Sequence, residues 1–307
     1  MKVFCEIRSR LSLFYQNPGS VYPDIFATEI FLKIMFDTDL LFDNKKLTLA
    51  FCQMKPAISI IIPAFEEEDR LGESIGEILT YIENEKLSAE LIIVDDGSND
   101  KTCVTAETAC AEFPDLQTKV IRYEGNRGKG YAVKTGLLAS NADIALFSDA
   151  DLSTPIEELA KLVKPIQTGE YDLTFGSRAL DRSLIGKHQP WRREQGGKIF
   201  NLIVKTLTGL PFWDTQCGFK AFNMKKFRPL LSVMQIERFG FDVEFLYVAS
   251  LHGLHLKEIP VRWNHDERTK VNVFRDSQRM FNEVRLIRQN AKRGIYDKPK
   301  KSEYNLV

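Results

Sequence analysis

From residue 58 onward the chain alternates short apolar runs with longer stretches in which apolar residues recur every three or four positions. The runs Ile58–Ile62, Leu91–Val94, Lys119–Arg122, Ile144–Phe147 and Asp172–Phe175 are short and rich in branched residues, which predicts strands. Their largely unbroken apolar character is that of strands buried on both faces. Between them the 3.6-residue period predicts helices. One spans about 70–85, with Leu71, Ile75, Ile78, Leu79 and Ile82 on a single face. Others span about 101–112, run from a glycine-rich turn at 125–130 to near Ser140, and open at Pro155. Strands and helices in this alternation mean βαβ units and a mostly parallel sheet. Right-handed crossovers then place every strand's C-terminal end along one edge.

After Arg178 the pattern changes. Residues 182–191 mix charge, glycine and proline without period, which predicts a mobile loop over the crevice. A helix is expected over Glu194–Leu207, a strand over Cys217–Phe222, a helix over Phe241–His252 and a strand over Leu254–Trp263. Residues 1–53 are rich in Phe and Leu, and no period persists in them. Two readings stay open there: translation from Met54, or a short capping helix near Ile25–Phe36. A polar tail starts at Lys298.

Composition narrows the function. The chain has 307 residues, with 42 Lys plus Arg against 42 Asp plus Glu, so no basic field draws it onto nucleic acid. No apolar run approaches the ~18 residues of a membrane span, and Glu6, Arg8 and Arg10 interrupt any secretory signal. Five cysteines without Cys-x-x-Cys spacing fit a reduced, cytosolic protein without structural zinc.

The chemistry lies at the strand ends. Ile58–Ile62 runs into Pro63-Ala64-Phe65-Glu66-Glu67, Leu91–Val94 into Asp95-Asp96-Gly97-Ser98, and Ile144–Phe147 into Ser148-Asp149-Ala150-Asp151. Acids at the carboxyl edge of a parallel sheet mark its ligand crevice. Asp95 or Asp96 can accept from a base or ribose, although an ordinary βα turn would read the same. The turn Asn126-Arg127-Gly128-Lys129-Gly130 lacks a P-loop ending but suits an anion at a helix N-terminus. Asp149 and Asp151 can hold a hard divalent cation against a diphosphate, or else simply cap a strand–helix junction. His252 and His255 lack further ligands and read as structural.

Taken with Gly176-Ser177-Arg178, Asp214–Lys220 and Phe239–Glu244, this ordered set resembles the family 2 inverting glycosyltransferases of the GT-A fold. Within them it is similar to the polyprenyl-phosphate sugar transferases of the dolichyl-phosphate β-glucosyltransferase group. The resemblance covers about 58–293. It implies an α/β fold with a mostly parallel, Rossmann-like nucleotide-binding half joined to a mixed acceptor-binding half. The implied divisions are an extension over 1–53, a GT-A domain over 54–297 and the tail 298–307. Within the domain, 54–178 is the nucleotide-sugar half, 179–265 the acceptor half and 266–297 a basic amphipathic helix. Pro63, Ala64, Phe65, Glu67, Asp95, Asp96, Gly128, Lys129, Asp149 and Ala150 would bind the nucleotide sugar, UDP-glucose by preference. Asp149 and Asp151 would hold Mg2+ or Mn2+. Arg178, Arg192 and Arg193 would meet the phosphate of a polyprenyl-phosphate lipid, with Asp151, Arg178 and Asp242 counted as catalytic.

The implied reaction is attack by that phosphate on the anomeric carbon, with inversion. GDP-mannose as donor and a polysaccharide hydroxyl as acceptor are the rivals; the hydroxyl would need Asp242 or Glu244 as base. Ser153 stands where some mannosyl relatives carry glutamine. A nucleotide-sugar sensor is the non-enzymatic alternative. Val271, Phe274, Phe281, Val284 and Ile287 form a stripe flanked by Arg and Lys. This helix either lies in a membrane interface, making the protein peripheral on the cytoplasmic face, or packs its stripe on the core.

Overall fold

The computed structural model describes residues 55–187, 189–266 and 273–297, with the backbone alone at 192, 193 and 273–277. The expectations for 1–53 and for the tail from 298 fall outside these residues.

Seven strands form the central sheet: β1 (Ile58–Ala64), β2 (Ala89–Asp95), β3 (Gln117–Arg122), β4 (Ile144–Ser148), β5 (Leu173–Ser177), β7 (Phe219–Asn223) and β8 (Leu256–Pro260). Their order is β3-β2-β1-β4-β7-β5-β8. The first four are parallel neighbours, as the βαβ pattern predicts. Every residue of β1 and β2 is buried. Ser59 is tolerated in β1 because it donates to the buried Glu90 carboxylate, 2.5 Å away, and accepts from Ala142 N. Pairing of β1 with β4 ends at Ile61↔Phe147, so the strand has parted from that neighbour before Pro63, where a donor is missing.

β5 does not continue the parallel series beside β4. β7 inserts between them, antiparallel to both, and β5 pairs onward with β8 in parallel. The stretch 182–191 is not wholly irregular either. It contains a 3-10 turn (Arg182–Leu184) and β6 (Ile185–Lys187), which pairs with β9 (Trp263–Asn264) in a small second sheet. The strand expected over Leu254–Trp263 is therefore two pieces, broken after Pro260, which has no N–H to extend the ladder.

The helices are α1 (Leu71–Asn84), α2 (Thr102–Ala111), α3 (Lys129–Ala139), α4 (Leu159–Gln167), α5 (Trp191–Thr208), α6 (Met224–Phe227), α7 (Phe241–Leu251) and α8 (Val273–Lys292). α1 buries the expected five residues. α5 starts at Trp191, three residues before the expected Glu194, and ends on Gly209 in the left-handed region (φ 74°). On one face of the sheet α3 and α7 enclose an aromatic cluster in which Phe147, Phe222, Phe227, Phe241 and Phe245 meet at ring-centroid distances of 4.4–6.3 Å. Val284 and Ile287 of α8 are fully buried in this core and Phe281 is half-buried, so this part of the apolar stripe packs on the protein; Val271 and the Phe274 side chain lie outside the described residues. Among the described residues no helix is long and apolar enough to cross a membrane.

Candidate active site

The carboxyl ends of β1, β2 and β4 and the segment preceding β7 converge on one edge of the sheet. At the end of β1, Pro63 and Ala64 are buried and Phe65 is half-buried; Ala64 O accepts from Asp96 N at 2.8 Å. Glu66 then takes a positive φ of 54°, its N–H donating to Ser98 Oγ at 2.8 Å. Glu67 is held by Arg70, from which both its oxygens accept, at 2.5 and 2.7 Å.

Asp95 and Asp96 are buried. Asp96 accepts from Tyr123 Oη (2.7 Å), Asn126 Nδ2 (2.9 Å), Arg127 N (2.9 Å) and Gly128 N (2.8 Å). Four donors fill a carboxylate's acceptor capacity, so Asp96 shapes the glycine turn and, in this conformation, has no lone pair for a base. Asp95 Oδ1 accepts from Ser98 N, whereas its buried Oδ2 makes no hydrogen bond and lies 3.5 Å from Arg122 Nε. A cavity of about 460 Å³ beside it is lined by Gly97, Ser98, Arg122, Tyr123 and Gly125, among others.

The glycines of the turn serve close packing. Gly128 has φ 115°, and a Cβ there would stand 2.5 Å from Glu237 O; at Gly130 it would stand 2.6 Å from Phe241 Cβ. The turn thus lies flat on the 236–241 segment and delivers Lys129 to the end of β4, where its ammonium pairs with Asp149. Burial opposes that charge, but Asp149 and Asp242 hold Lys129 above its ordinary value. Asp149 N donates to Gly218 O at 3.0 Å, and a Cβ on Gly218 would stand 2.1 Å from Asp149 Oδ2, so only glycine leaves room for the carboxylate. Ala150 O accepts from Ser74 Oγ at 2.7 Å. Asp151 Oδ1 accepts from Ser153 N at 3.0 Å across Leu152, whose φ of 45° is strained for a branched side chain. Burial, reinforced by Asp149, raises Asp151 above the usual carboxylate range.

Asp242 requires a correction. It is buried, and its Oδ1 takes a 2.5 Å hydrogen bond from the fully buried Lys220, which also donates to Cys217 O at 2.6 Å. A carboxylate engaged by a buried ammonium is not a general base poised over an acceptor. Its influence reaches the site through Lys220 and Lys129. Glu244 is likewise closed off, accepting from Gln235 N, Ile236 N and Tyr296 Oη.

Arg178, at the end of β5, grips Asp214 through Nε (2.7 Å) and Nη2 (2.8 Å), and its backbone N donates to the same carboxylate at 3.0 Å. Glu258 of β8 steadies that loop by accepting from Ser177 Oγ, Trp213 N and Asp214 N. The indole of Trp263 lies under the guanidinium, 5.5 Å from its carbon. Arg192 and Arg193 fall in the first turn of α5; their side chains lie outside the described residues.

Beside Asp151 a second cavity, of about 420 Å³, is lined by Asp151, Leu152, Ser153, Lys187, Asn264, His265 and Asp266. Sequence reasoning missed His265, Asp266 and Arg70. Nothing in their spacing marks them, because the fold alone brings 263–266 across to β4. Among the described residues no three His, Cys, Asp or Glu side chains converge on one point. The donor set nevertheless suits a hard divalent cation: Asp151 lines the cavity, Asp149 stands two residues before it at the same strand end, and the buried Asp149 Oδ1 meets the Lys129 ammonium without a hydrogen bond of good geometry. The remaining ligands would be oxygens of a bound diphosphate or water.

The family described as Glycosyl transferase family 2 matches residues 59–231. A dolichyl-phosphate beta-glucosyltransferase of Dictyostelium discoideum is 31% identical over 249 residues, covering 78% of this chain and 76% of that protein. The human protein of the same name is 32% identical over 244 residues, covering 75% and 74%. Among solved structures, glucosyl-3-phosphoglycerate synthase of Mycobacterium tuberculosis in complex with Mn2+, UDP-glucose and phosphoglyceric acid superposes with a TM-score of 0.55 at 19% identity, covering 85% of this chain and 86% of that one. Mannosyl-3-phosphoglycerate synthase of Rubrobacter xylanophilus gives 0.57 at 18% identity, covering 87% and 83%.

Proposed function

The chain belongs to glycosyl transferase family 2 and has the GT-A fold, and we propose that it transfers glucose from UDP-glucose to a polyprenyl phosphate, with inversion at the anomeric carbon. Curated relatives at 30–33% identity, among them the Dictyostelium, human, Drosophila and yeast proteins, carry the name dolichyl-phosphate beta-glucosyltransferase, which supports both the sugar and the lipid class. One structural observation carries the reading: an acid pair at the end of β4 shares a single sheet edge with a guanidinium at the end of β5.

In this reading Asp149 and Asp151 hold a divalent cation, Mg2+ or Mn2+, which when bound supplies charge compensation for the departing diphosphate. Lys129, at the N-terminus of α3, adds positive charge on the same side. The acceptor needs no strong base, because a phosphate monoester with a second pKa near 6 is largely ionised at neutral pH. It needs orientation. Nε and one N–H on Nη2 of Arg178 are occupied by Asp214, and the other N–H groups of that fixed fork are available for a phosphate oxygen. The oxygen attacks the anomeric carbon as the bond to the diphosphate breaks, yielding the glycosyl phospholipid and UDP. The hydroxyl-acceptor rival loses support, since Asp242 and Glu244 are both engaged by buried donors.

We further propose that the protein meets the lipid at a membrane surface through α5 and not α8. Trp191, Ile199 and Leu202 of α5 and the neighbouring Trp213 are each at least 60% exposed, with Lys205 lying over the Trp213 ring. Apolar anchors beside lysines suit an interfacial helix. The test of the reaction is incubation with membranes and labelled nucleotide sugars, followed by lipid extraction. UDP-glucose should label an extractable lipid. Lipid labelled only from GDP-mannose would move the assignment to mannosyl transfer, and a water-soluble polymer would favour a hydroxyl acceptor.

A further inference from the structure

Arg70 stands at the entry to α1 and is buried, 8% exposed. Nε and Nη2 are held by Glu67, whose own N–H donates to Thr102 Oγ1 at 2.7 Å. The third nitrogen, Nη1, is sealed from water and makes no hydrogen bond of good geometry. It lies 3.3 Å from Asp266 Oδ2 and 4.0 Å from Asp151 Oδ2. A buried charged donor is normally satisfied in full, so a guanidinium edge suspended between two carboxylates calls for an explanation.

We propose that Arg70 is a positioning residue for the cation: it ties Asp151, at the end of β4, to Asp266, on the other wall of the same cavity. The proposal rests on reading Asp151 as a cation ligand. Asp266 follows two residues already hung across the site, with Asn264 N donating to Ser153 O (2.8 Å) and His265 N to Lys187 O (3.1 Å). Asp151 and Asp266 would otherwise repel one another across the cavity. The grip of Glu67 fixes the plane of the fork, so Nη1 stays between them. Without Glu67 the guanidinium would compete with the cation for Asp151; with Glu67 its own charge is already balanced.

The test is calorimetric titration of Mn2+ into the full chain with UDP present, alongside thermal melts. Arg70→Gln should weaken Mn2+ binding roughly 10- to 100-fold, the range found when a partner behind a metal ligand is removed. Arg70→Lys should restore only part of it, because an ammonium cannot hold Glu67 and face two further carboxylates in one plane. Asp266→Asn, with Arg70 in place, should also weaken binding. A folded Arg70→Gln protein with wild-type or tighter Mn2+ affinity overturns the proposal, even if its melting temperature falls, since a purely structural arginine would do just that. If Arg70→Gln does not fold, Asp266→Asn decides, and unchanged affinity there is equally fatal. A wild-type protein that binds no Mn2+ with UDP would instead remove the cation reading on which the proposal stands.

Discussion

Asp214 is the residue whose removal most directly tests how the acceptor side is built. It is 2% exposed and receives three donors from Arg178 and a weaker one from Gln216 N at 3.3 Å. Asp214→Ala leaves a guanidinium without its partner. Breaking a buried ion pair from one side costs about 3–5 kcal/mol. Water reaches Arg178, whose side chain is 27% exposed, so the lower end, about 3 kcal/mol, applies. For a domain of this size that is a fall of roughly 6–12 °C in melting temperature. Arg178→Ala should cost more, towards about 5 kcal/mol, because the orphaned carboxylate is the more deeply buried partner. The double variant Arg178→Met/Asp214→Leu should regain much of the loss, since neither charge then remains unpaired.

The pH dependence has a definite sign. Burial alone would raise Asp214, but the Arg178 guanidinium beside it holds the carboxyl below its usual range. A depressed folded pKa contributes stability that is present above the unfolded value, about 3.9, and lost as pH falls through the folded value. The gap between wild type and Asp214→Ala should therefore be full at neutral pH and close only in strong acid. Thermal and urea unfolding across pH measure it. An Asp214→Ala protein as stable as wild type, or a gap that closes in the neutral range, would refute the buried-pair reasoning.

Three other outcomes follow from the site. Gly218→Ala should remove glycosyl transfer with little loss of stability, because the new methyl would occupy the place of the Asp149 carboxylate; Gly130→Ala, forced against Phe241 and Ile236 O, should instead cost about 1–3 kcal/mol in denaturant melts. Asp151→Asn should abolish transfer while leaving the melting curve near wild type, and undiminished activity of wild type in excess chelator would contradict the cation's role. Trp191→Ser combined with Leu202→Ser should reduce sedimentation with lipid vesicles and turnover of lipid acceptor while sparing UDP binding; unchanged vesicle binding would move the membrane contact elsewhere.

The sequence made some of this legible and hid the rest for physical reasons. β1, β2 and β4 announce themselves because their middles, buried on both faces, are uncharged, and the acids that end them sit where the sheet opens. Partners of those acids are another matter. Lys220, in Phe219-Lys220-Ala221-Phe222, reads by alternation as a solvent-facing position, yet it is fully buried, made possible by Asp242 from a helix that begins more than twenty residues later. Arg70 looks like an ordinary polar residue before an amphipathic helix. The glycines at 128 and 130 suggest a phosphate cradle, but the surface they fit is the 236–241 segment. Composition and period describe a residue's own element, whereas these roles depend on what another element brings to it.

The least legible feature, the antiparallel entry of β7, is also the one that joins the two halves. A parallel strand between β4 and β5 would have turned its C-terminal end to the crevice and left its leading residues at the opposite edge of the sheet. An antiparallel strand does the reverse, so the residues preceding β7 arrive at the edge where β4 and β5 end. Asp214 and Gly218 occupy that short lead-in. Asp214 holds Arg178 beyond β5, and Gly218 accepts from Asp149 N beyond β4. One five-residue span, 214–218, thus fixes the Arg178 guanidinium relative to the Asp149 carboxylate, with Lys220 anchoring it at the second residue of the strand, opposite both Phe147 and Phe175. The distance between the two charges is then set by hydrogen bonds from one turn to residues just beyond the ends of two sheet strands. In the proposed reaction, in-line displacement between two anionic groups would draw on that fixed spacing, since orientation can supply much of the barrier reduction.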